Sequence, residues 1–248
     1  MIIAIAVQKG GTGKTATAAT LAQAATYKGQ RVLTIDLDPQ GNLSYSLGAQ
    51  ITQDTGSSYK ILTGAPADQQ IQETGQGIDI IPAEWALSTF TGGKGSARRL
   101  QEALEPIRGQ YDTIIIDTPP TAGILQYTAL QAADRLIIPL QADAYNLQAL
   151  YQITDTARQI QQSNPALQFA GLLLTQYDGR SLLARQMQKT IINKAAEMGV
   201  PYLGTIRAGI AIKEAAAMQQ SLYQYAPRSK PAADYLDVFH YLTNNRYI

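Results

Sequence analysis

The chain lacks cysteine, and it contains a single histidine, His240, among its 248 residues. Without cysteine it can form neither a disulfide framework nor a thiolate metal site, and a cysteine-ligated iron–sulfur cluster is excluded as well. No catalytic motif accompanies His240, so we do not expect it to act in catalysis. The chemistry of this protein must depend on other side chains.

Long apolar runs and linkers are also absent. No apolar stretch approaches the roughly 18 residues that a membrane span requires, and residues 2–7 are too short for a signal peptide and lack its basic region. Residues 51–76 are polar and weakly patterned, so we expect at most short helices there. No stretch rich in proline, serine, glycine or charged residues is long enough to be a linker that divides the chain. We therefore expect a single domain, residues 1–248, in a cytoplasmic protein.

The net charge is only +1, but it is unevenly distributed. Residues 1–150 contain 10 Lys/Arg and 13 Asp/Glu, a net charge of −3, whereas residues 151–248 contain 10 and 6, a net charge of +4. A basic carboxyl-terminal half is typical of a protein that binds a polyanion. A solvated surface of mixed charge explains it equally well.

Short apolar, β-branched runs alternate with segments of helical spacing. Because the runs lack polar alternation, we expect strands that are covered on both faces. This order predicts an α/β fold with a mostly parallel, twisted sheet and helices on both faces, which binds ligands beyond the carboxyl ends of its strands. The predicted strands are residues 2–7, 31–35, 78–81, 113–116, 135–140, 170–175 and 202–206, and the predicted helices are residues 14–27, 96–107, 122–132, 147–161, 182–198, 210–219 and 232–243.

The first predicted strand leads into a glycine-rich loop that contains two lysines, Lys9 and Lys14. A strand, a glycine-rich turn and a helix in this order point backbone N–H groups at one spot, and the helix dipole adds attraction for a phosphate. In such a loop Lys14 reaches the β- and γ-phosphates, and Thr15 offers its hydroxyl to Mg²⁺. The nucleotide-binding residues predicted here are Lys9, Gly10, Gly11, Thr12, Gly13, Lys14, Thr15 and Ala16.

Three aspartates follow predicted strands at the same edge of the sheet. Asp36 and Asp38 follow the second strand, and Asp117 follows the strand at 113–116. Carboxylates beside a phosphate loop are costly unless a cation joins them, and Mg²⁺ is the natural candidate, which leaves one carboxylate free to orient an attacking water. A pair of loop aspartates that caps a helix near Asn42 is the alternative.

Several motifs occur together: Lys-Gly-Gly-Thr-Gly-Lys-Thr at 9–15, Asp-Leu-Asp-Pro-Gln at 36–40, Asp-Thr-Pro-Pro at 117–120, and the segments 174–180 and 225–230. With these motifs the chain resembles the deviant Walker-A ATPases, specifically the ParA/Soj branch that partitions plasmids and chromosomes. The resemblance covers nearly the whole chain. It implies a single-domain P-loop fold, hydrolysis of ATP with Mg²⁺, a homodimer with ATP, binding to non-specific double-stranded DNA, and a ParB-like partner that binds the centromere.

The resemblance also implies individual roles. Lys9 corresponds to the signature lysine, which crosses the interface of an ATP-bound dimer to touch the partner's phosphates. Lys14 already contacts the phosphates within its own subunit. A second lysine is therefore most useful where it neutralises the negative charge that develops, during hydrolysis, on a nucleotide across the interface. The implied catalytic residues are Lys9, Lys14 and Asp38, and of these Asp38 positions the hydrolytic water. The implied metal residues are Thr15, Asp36 and Asp117. The nucleotide is also expected to contact Pro119 and, near the adenine, Gln176.

In this family the ATP-bound dimer binds DNA through basic residues of the carboxyl-terminal half. The resemblance assigns that role here to Arg207, Lys213, Arg228 and Lys230, and phosphate contacts of this kind carry no sequence information. Residues 206–215 depart from the family pattern, in which Pro-Arg-Asn precedes the helix. Since the chain starts at its first strand, we expect no N-terminal helix-turn-helix domain. The resemblance thus implies a nucleoid-associated protein.

Two related functions stay open. A membrane-cycling division-site regulator resembling MinD requires a basic amphipathic carboxyl-terminal helix, and residues 234–240 are not basic, so we expect no membrane partner. A positioning ATPase for another cargo, such as a protein microcompartment, would use the same switch. A relative of nitrogenase reductase is excluded by the missing cysteines.

Overall fold

In the computed structural model, which describes residues 1–52, 55–93 and 95–247, strands and helices alternate along the chain. The strands are β1 (Ile2–Ile5), β2 (Val32–Asp36), β3 (Gln72–Glu73), β4 (Asp79–Ile81), β5 (Thr113–Asp117), β6 (Arg135–Leu140), β7 (Gln168–Tyr177) and β8 (Tyr202–Arg207). The helices are α1 (Lys14–Tyr27), α2 (Asn42–Leu47), α3 (Ser58–Leu62), α4 (Arg99–Leu104), α5 (Ile124–Ala132), α6 (Ala144–Gln161), α7 (Leu182–Glu197), α8 (Ala211–Ala217), α9 (Leu222–Tyr225) and α10 (Lys230–Asn244). Short 3-10 helices lie at Asp68–Gln70, Trp85–Thr89, Ser96–Arg98 and Arg108–Gln110.

The strands form one 8-stranded sheet in the order β3-β4-β2-β5-β1-β6-β7-β8. Every neighbouring pair is parallel except β3 and β4, which are antiparallel. The register pairs Asp117 at the end of β5 with Asp36 on one side and with Ile5 on the other. The loop after β1 and the ends of β2 and β5 therefore meet at one edge of the sheet.

Each face of the sheet packs against its own layer of helices. Along β1, Ile2 and Ala4 belong to a buried cluster with side chains of α3, α4, α5, α6 and α7, while Ile3 and Ile5 belong to a second cluster with α1, α2, α8, α9 and α10. Successive side chains of a strand point to opposite faces, so one apolar strand supplies both clusters. The predicted α/β fold with a mostly parallel sheet and helices on both faces is confirmed.

Some predicted boundaries were wrong. The predicted helix at 96–107 is a 3-10 turn followed by α4, which ends at Leu104, because Pro106 has no N–H and disfavours helical backbone before it. Short helices occur within residues 51–76, as expected, although residues 53 and 54 lie outside the described residues. The helix α9 was missed, and α2 was expected only in the alternative in which aspartates cap a helix near Asn42, since 4 and 6 residues are too few to show a helical period.

Among the described residues, no helix combines the length and the apolar character that crossing a bilayer requires.

Candidate functional site

The loop between β1 and α1 turns at two glycines with left-handed backbone. Gly11 has a φ of 74° and Gly13 a φ of 84°, values that residues other than glycine rarely adopt. A Cβ atom on Gly13 would also lie 3.5 Å from the side chain of Thr175. Gly13 is the N-cap of α1 and has no side chain with which to cap it. The first N–H groups of α1 are therefore available to an anion.

Lys14 is the first residue of α1, and its side chain lies inside the loop. Only 6% of the residue is exposed, and its Nζ atom donates a hydrogen bond of 2.8 Å to the carbonyl oxygen of Lys9. Burial lowers the pKa of Lys14, while the carboxylates of Asp117 and Asp38 oppose that change. The structure thus brings the predicted phosphate lysine close to two of the predicted aspartates.

The ammonium of Lys9 lies beside the amino terminus of α6. Its Nζ atom lies 3.2 Å from Oδ1 of Asp143 and 5.7 Å from the ring centre of Tyr145. Asp143 is the N-cap of α6, and its carboxylate accepts the backbone N–H of Asn146. The two lysines therefore lie in different surroundings: Lys14 is buried within the loop, and the side chain of Lys9 is partly exposed at its rim.

Two glutamines hold the carbonyl oxygen of Gly11. The Nε2 atoms of Gln141 and Gln176 donate to it at 2.9 and 2.8 Å, and Gln176 does so with a φ of 51°, an uncommon value for a residue with a side chain. Thr175 donates to the carbonyl oxygen of Thr12 at 2.7 Å. The ends of β6 and β7 thus hold the loop in place. Sequence reasoning did not identify Gln141, just after β6, or Thr175, within β7, as residues that hold the loop, since a polar residue near the end of a strand is too common a signal.

Asp117 presents an unpaired oxygen at the edge of the sheet. Its Oδ1 atom accepts the N–H of Thr118 at 3.1 Å, whereas its buried Oδ2 atom has no hydrogen-bond partner within the described ranges. Burial and the nearby Asp36 raise the pKa of Asp117 well above its ordinary value, although the hydroxyl of Thr15 and the ammonium of Lys14 oppose the rise. A buried unpaired carboxylate oxygen is costly, so this position fits a cation.

Asp36 is fully buried, and both of its oxygens accept hydrogen bonds. Oδ1 accepts the N–H of Asp38 at 3.0 Å, and Oδ2 accepts the N–H and the hydroxyl of Ser44 at 2.9 and 2.7 Å. Burial raises the pKa of Asp36 to about 6, against the effect of these hydrogen bonds. Because Ser44 lies in the first turn of α2, Asp36 also caps a helix, which was the alternative interpretation of this aspartate pair.

Asp38 lines a cleft beside the loop. The cleft has a volume of about 380 Å³ and is also lined by Pro119 and Pro120. One oxygen of Asp38 accepts the N–H of Gln40 at 3.0 Å. A Cβ atom on Gly10 would lie 3.9 Å from the side chain of Pro120, so the cleft adjoins the loop. Asp38 and Pro119, two of the candidate site residues, thus line the same cleft.

A narrower cavity of about 80 Å³ lies at the start of α1. Ala16 and Gln176, two of the predicted nucleotide contacts, line it together. So do Arg207 and Lys213, which were predicted to contact DNA. The structure places these two cations beside the loop, on the side of α1 that faces the end of β8.

The predicted DNA-binding residues fall into two groups. Arg207 pairs with Asp234 on α10 through an Nη2–Oδ1 distance of 2.5 Å, and only 9% of Asp234 is exposed. Lys230, the first residue of α10, and Arg228 just before it are exposed and form no ion pair with any residue that the structure describes. Lys213 on α8 is likewise exposed and without an ion pair in the described part of the chain. Lys213, Arg228 and Lys230 therefore have charge available for a polyanion, whereas Arg207 is neutralised by Asp234.

Comparison with known proteins identifies the family. The AAA domain family AAA_31 matches residues 1–169. The chain is 42% identical over 199 residues to the chromosome partitioning protein ParA of Caulobacter vibrioides, covering 77% of this chain and 74% of that protein. It is 36% identical over 244 residues to the sporulation initiation inhibitor protein Soj of Bacillus subtilis, covering 96% of each. The chain belongs to the ParA/Soj family.

A solved structure shows the same fold over nearly the whole chain. A cobyrinic acid a,c-diamide synthase from Mycobacterium smegmatis with bound ADP and magnesium is 30% identical to the chain, with a TM-score of 0.84, and the match covers 99% of this chain and 95% of that one. The suspected ParA/Soj resemblance is confirmed. The chain is a partition or positioning ATPase of this family.

Proposed function

We propose that this chain forms a homodimer with ATP, binds double-stranded DNA without sequence preference in that state, and is discharged by a ParB-like partner that stimulates slow hydrolysis. The observation that carries the proposal is the separation of the two loop lysines. Lys14 is buried in the loop, whereas the ammonium of Lys9 lies at the rim beside Asp143. A lysine at the rim can neutralise charge on a nucleotide held by a second subunit, in the manner of an arginine finger.

ATP and Mg²⁺ are the ligands that fit the site. The N–H groups at the start of α1 and the ammonium of Lys14 suit the phosphates. The hydroxyl of Thr15 and the unpaired Oδ2 atom of Asp117 suit the metal, and Asp36, whose oxygens are already hydrogen-bonded, would act through a metal-bound water. The described residues contain no cluster of three His, Cys, Asp or Glu, which agrees with Mg²⁺ because this ion keeps several waters and binds phosphate oxygens. When bound, the ion neutralises charge on the phosphates.

Asp38 is the residue proposed to orient the attacking water. It lines the cleft beside the loop, and one of its oxygens is fixed by the N–H of Gln40. Hydrolysis removes the γ-phosphate that both subunits share, so the dimer loosens after each turnover. Together with Pro119 at the cleft and Gln176 near adenine, these residues make up the proposed nucleotide site.

Arg228 and Lys230 are the proposed centre of the DNA-binding surface, and Lys213 lies on the same layer of helices. Dimerisation doubles the number of these cations, so affinity for DNA should rise with ATP. We further propose that residues 1–248 act as one domain in the cytoplasm, associated with the nucleoid and not with a membrane. A separate partner then supplies the sequence-specific contacts.

The deciding experiment is retention on DNA of arbitrary sequence with Mg²⁺ and ATP, with Mg²⁺ and ADP, and without nucleotide. Retention should require ATP and should fall steeply with salt. The variant Lys14→Ala serves as the control, since it should bind no DNA under any of the three conditions. Equal retention on DNA without nucleotide, or no retention with ATP, would contradict the proposal. Sedimentation with anionic liposomes tests the membrane alternative, for which we expect no binding.

A further inference from the structure

The carboxylate of Asp143 is fixed in an orientation that faces Lys9. Its Oδ1 atom accepts the backbone N–H of Asn146 at 3.0 Å, and its Oδ2 atom accepts the Nδ2–H of the same residue at 2.6 Å. The ammonium of Lys9 lies 3.2 Å from Oδ1 and 3.5 Å from Oδ2. Because Asn146 is fully buried in α6, the carboxylate is held in place before Lys9 reaches it.

Two further features strengthen the hold on Lys9. Asp143 stands at the amino terminus of α6, where the helix dipole favours a negative charge. The ring of Tyr145, in the first turn of the same helix, lies 5.7 Å from the ammonium, a distance at which a cation is attracted to an aromatic face. One helix end thus supplies both groups that contact Lys9.

We propose that Asp143 is a positioning residue that keeps Lys9 on its own subunit and competes for it with the nucleotide of the partner subunit. The inference rests on the proposed function, in which Lys9 crosses to the partner's phosphates. An ammonium that reaches those phosphates must leave the carboxylate of Asp143. The Lys9–Asp143 pair therefore disfavours dimers until ATP is present to replace the carboxylate.

The size of this effect follows from the exposure of the pair. The two side chains are 30% and 38% exposed, so solvent screens them in part. Pairs of this kind change an equilibrium by about two- to fivefold, and a dimer breaks two of them, so removal of the carboxylate should tighten the dimer by about tenfold. The gain should shrink at high salt, because salt screens exposed charges.

The test uses the full chain with Mg²⁺ and AMPPNP, an ATP analogue that is not hydrolysed, and measures the dimer dissociation constant by sedimentation equilibrium. Asp143→Asn and Asp143→Ser both remove the charge and both keep a good N-cap for α6. Each should lower the dissociation constant by about tenfold at low salt and by less at high salt. The matched control is Asp178→Asn, which removes a carboxylate that pairs with Arg180 in the loop after β7. It should leave the constant unchanged.

Three results would overturn the inference. If both Asp143 variants dimerise no more tightly than the wild-type chain, Asp143 does not compete for Lys9, while wild-type dimers with AMPPNP would leave the proposed function standing. If Asp178→Asn tightens the dimer equally, the cause is the charge of the whole surface and not the pair with Lys9. If the wild-type chain does not dimerise with AMPPNP at all, the proposed function fails and this inference fails with it.

Discussion

The Nζ atom of Lys14 is hydrogen-bonded to the carbonyl oxygen of Lys9, and the Nζ atom of Lys9 is paired with Asp143. One lysine thus binds the backbone of the other, while their ammonium groups have different partners. Lys14 is therefore hydrogen-bonded to the backbone of the residue proposed to cross the dimer interface.

Substitution of Lys14 and substitution of Lys9 should have different effects on ATP binding and on dimerisation. We expect Lys14→Ala to abolish measurable ATP binding, since a charged hydrogen-bond donor to phosphate is lost. Lys9→Ala should change ATP binding by less than about twofold and should abolish dimerisation. Isothermal titration calorimetry and sedimentation measure the two effects, and Lys28→Ala, at the far end of α1, is the control. Equal loss of ATP binding in both variants would place both lysines on the same nucleotide.

Asp38→Ala should uncouple binding from turnover. Loss of the group that orients the water should lower the rate of hydrolysis by about 100-fold or more, and ATP should still bind. The dimer should then stay on DNA after excess ADP is added. Phosphate release and retention on DNA measure the two expectations. Normal turnover in this variant would contradict the role that we propose for Asp38.

Arg207 and Lys230 should have different roles, the first in stability and the second in DNA binding. Arg207→Ala should lower the melting temperature, because it leaves the nearly buried carboxylate of Asp234 without its guanidinium. Lys230→Ala should leave the melting temperature unchanged, weaken binding to all DNA sequences alike, and reduce the salt slope by about one. Thermal melts and binding isotherms at several salt concentrations test both. An unchanged melting temperature for Arg207→Ala would mean that its pair with Asp234 contributes nothing to stability.

Asp117→Asn should affect the metal but not the fold. It replaces the unpaired carboxylate oxygen that we propose as a contact for Mg²⁺ or its water, so hydrolysis should need about 10- to 100-fold more Mg²⁺. The free energy of unfolding in EDTA should not fall, because burial already disfavours a charge there and raises the pKa of Asp117. A magnesium titration of hydrolysis and a denaturant titration in EDTA measure the two. Wild-type magnesium dependence would remove Asp117 from the metal site.

Tyr235→Phe should reveal how firmly α10 is joined to α1. The hydroxyls of Tyr235 and Thr17 form a buried hydrogen bond of 3.0 Å, and its loss leaves the hydroxyl of Thr17 unpaired, at a cost of about 1–3 kcal/mol. Tyr241→Phe, on a more exposed part of α10, should cost less than about 0.5 kcal/mol. Denaturant titrations give both values. Adding Thr17→Val should recover part of the loss, and no recovery would mean that the hydrogen bond is not the cause.

The sequence allowed a good prediction of the fold, and the loop and aspartates that it marked as candidates for the nucleotide lie at one edge of the sheet. Apolar runs without polar alternation identified the covered strands, and the glycine-rich turn between a strand and a helix identified the phosphate loop. Asp36 and Asp117 could be placed at one edge because carboxyl ends of parallel strands meet there. These features depend on local pattern, which a single sequence shows.

The residues that sequence reasoning missed act through tertiary contacts. Asp143 is 134 positions from Lys9, and Gln141 is 130 positions from Gly11. Arg207 was grouped with the DNA-binding cations from its charge and from the family resemblance, and its partner Asp234 lies 27 positions later. A count of charges shows how many cations a segment has but not which of them are already neutralised.

The two layers of helices give each subunit distinct sides. The helix α6, which holds Lys9 through Asp143, packs on one face of the sheet, and α10, which begins at Lys230, packs on the other. Under the proposed function, a subunit that contacts its partner near α6 would leave α10 accessible on the opposite face of the sheet. Dimerisation and attachment to DNA would then use separate surfaces, so that neither blocks the other.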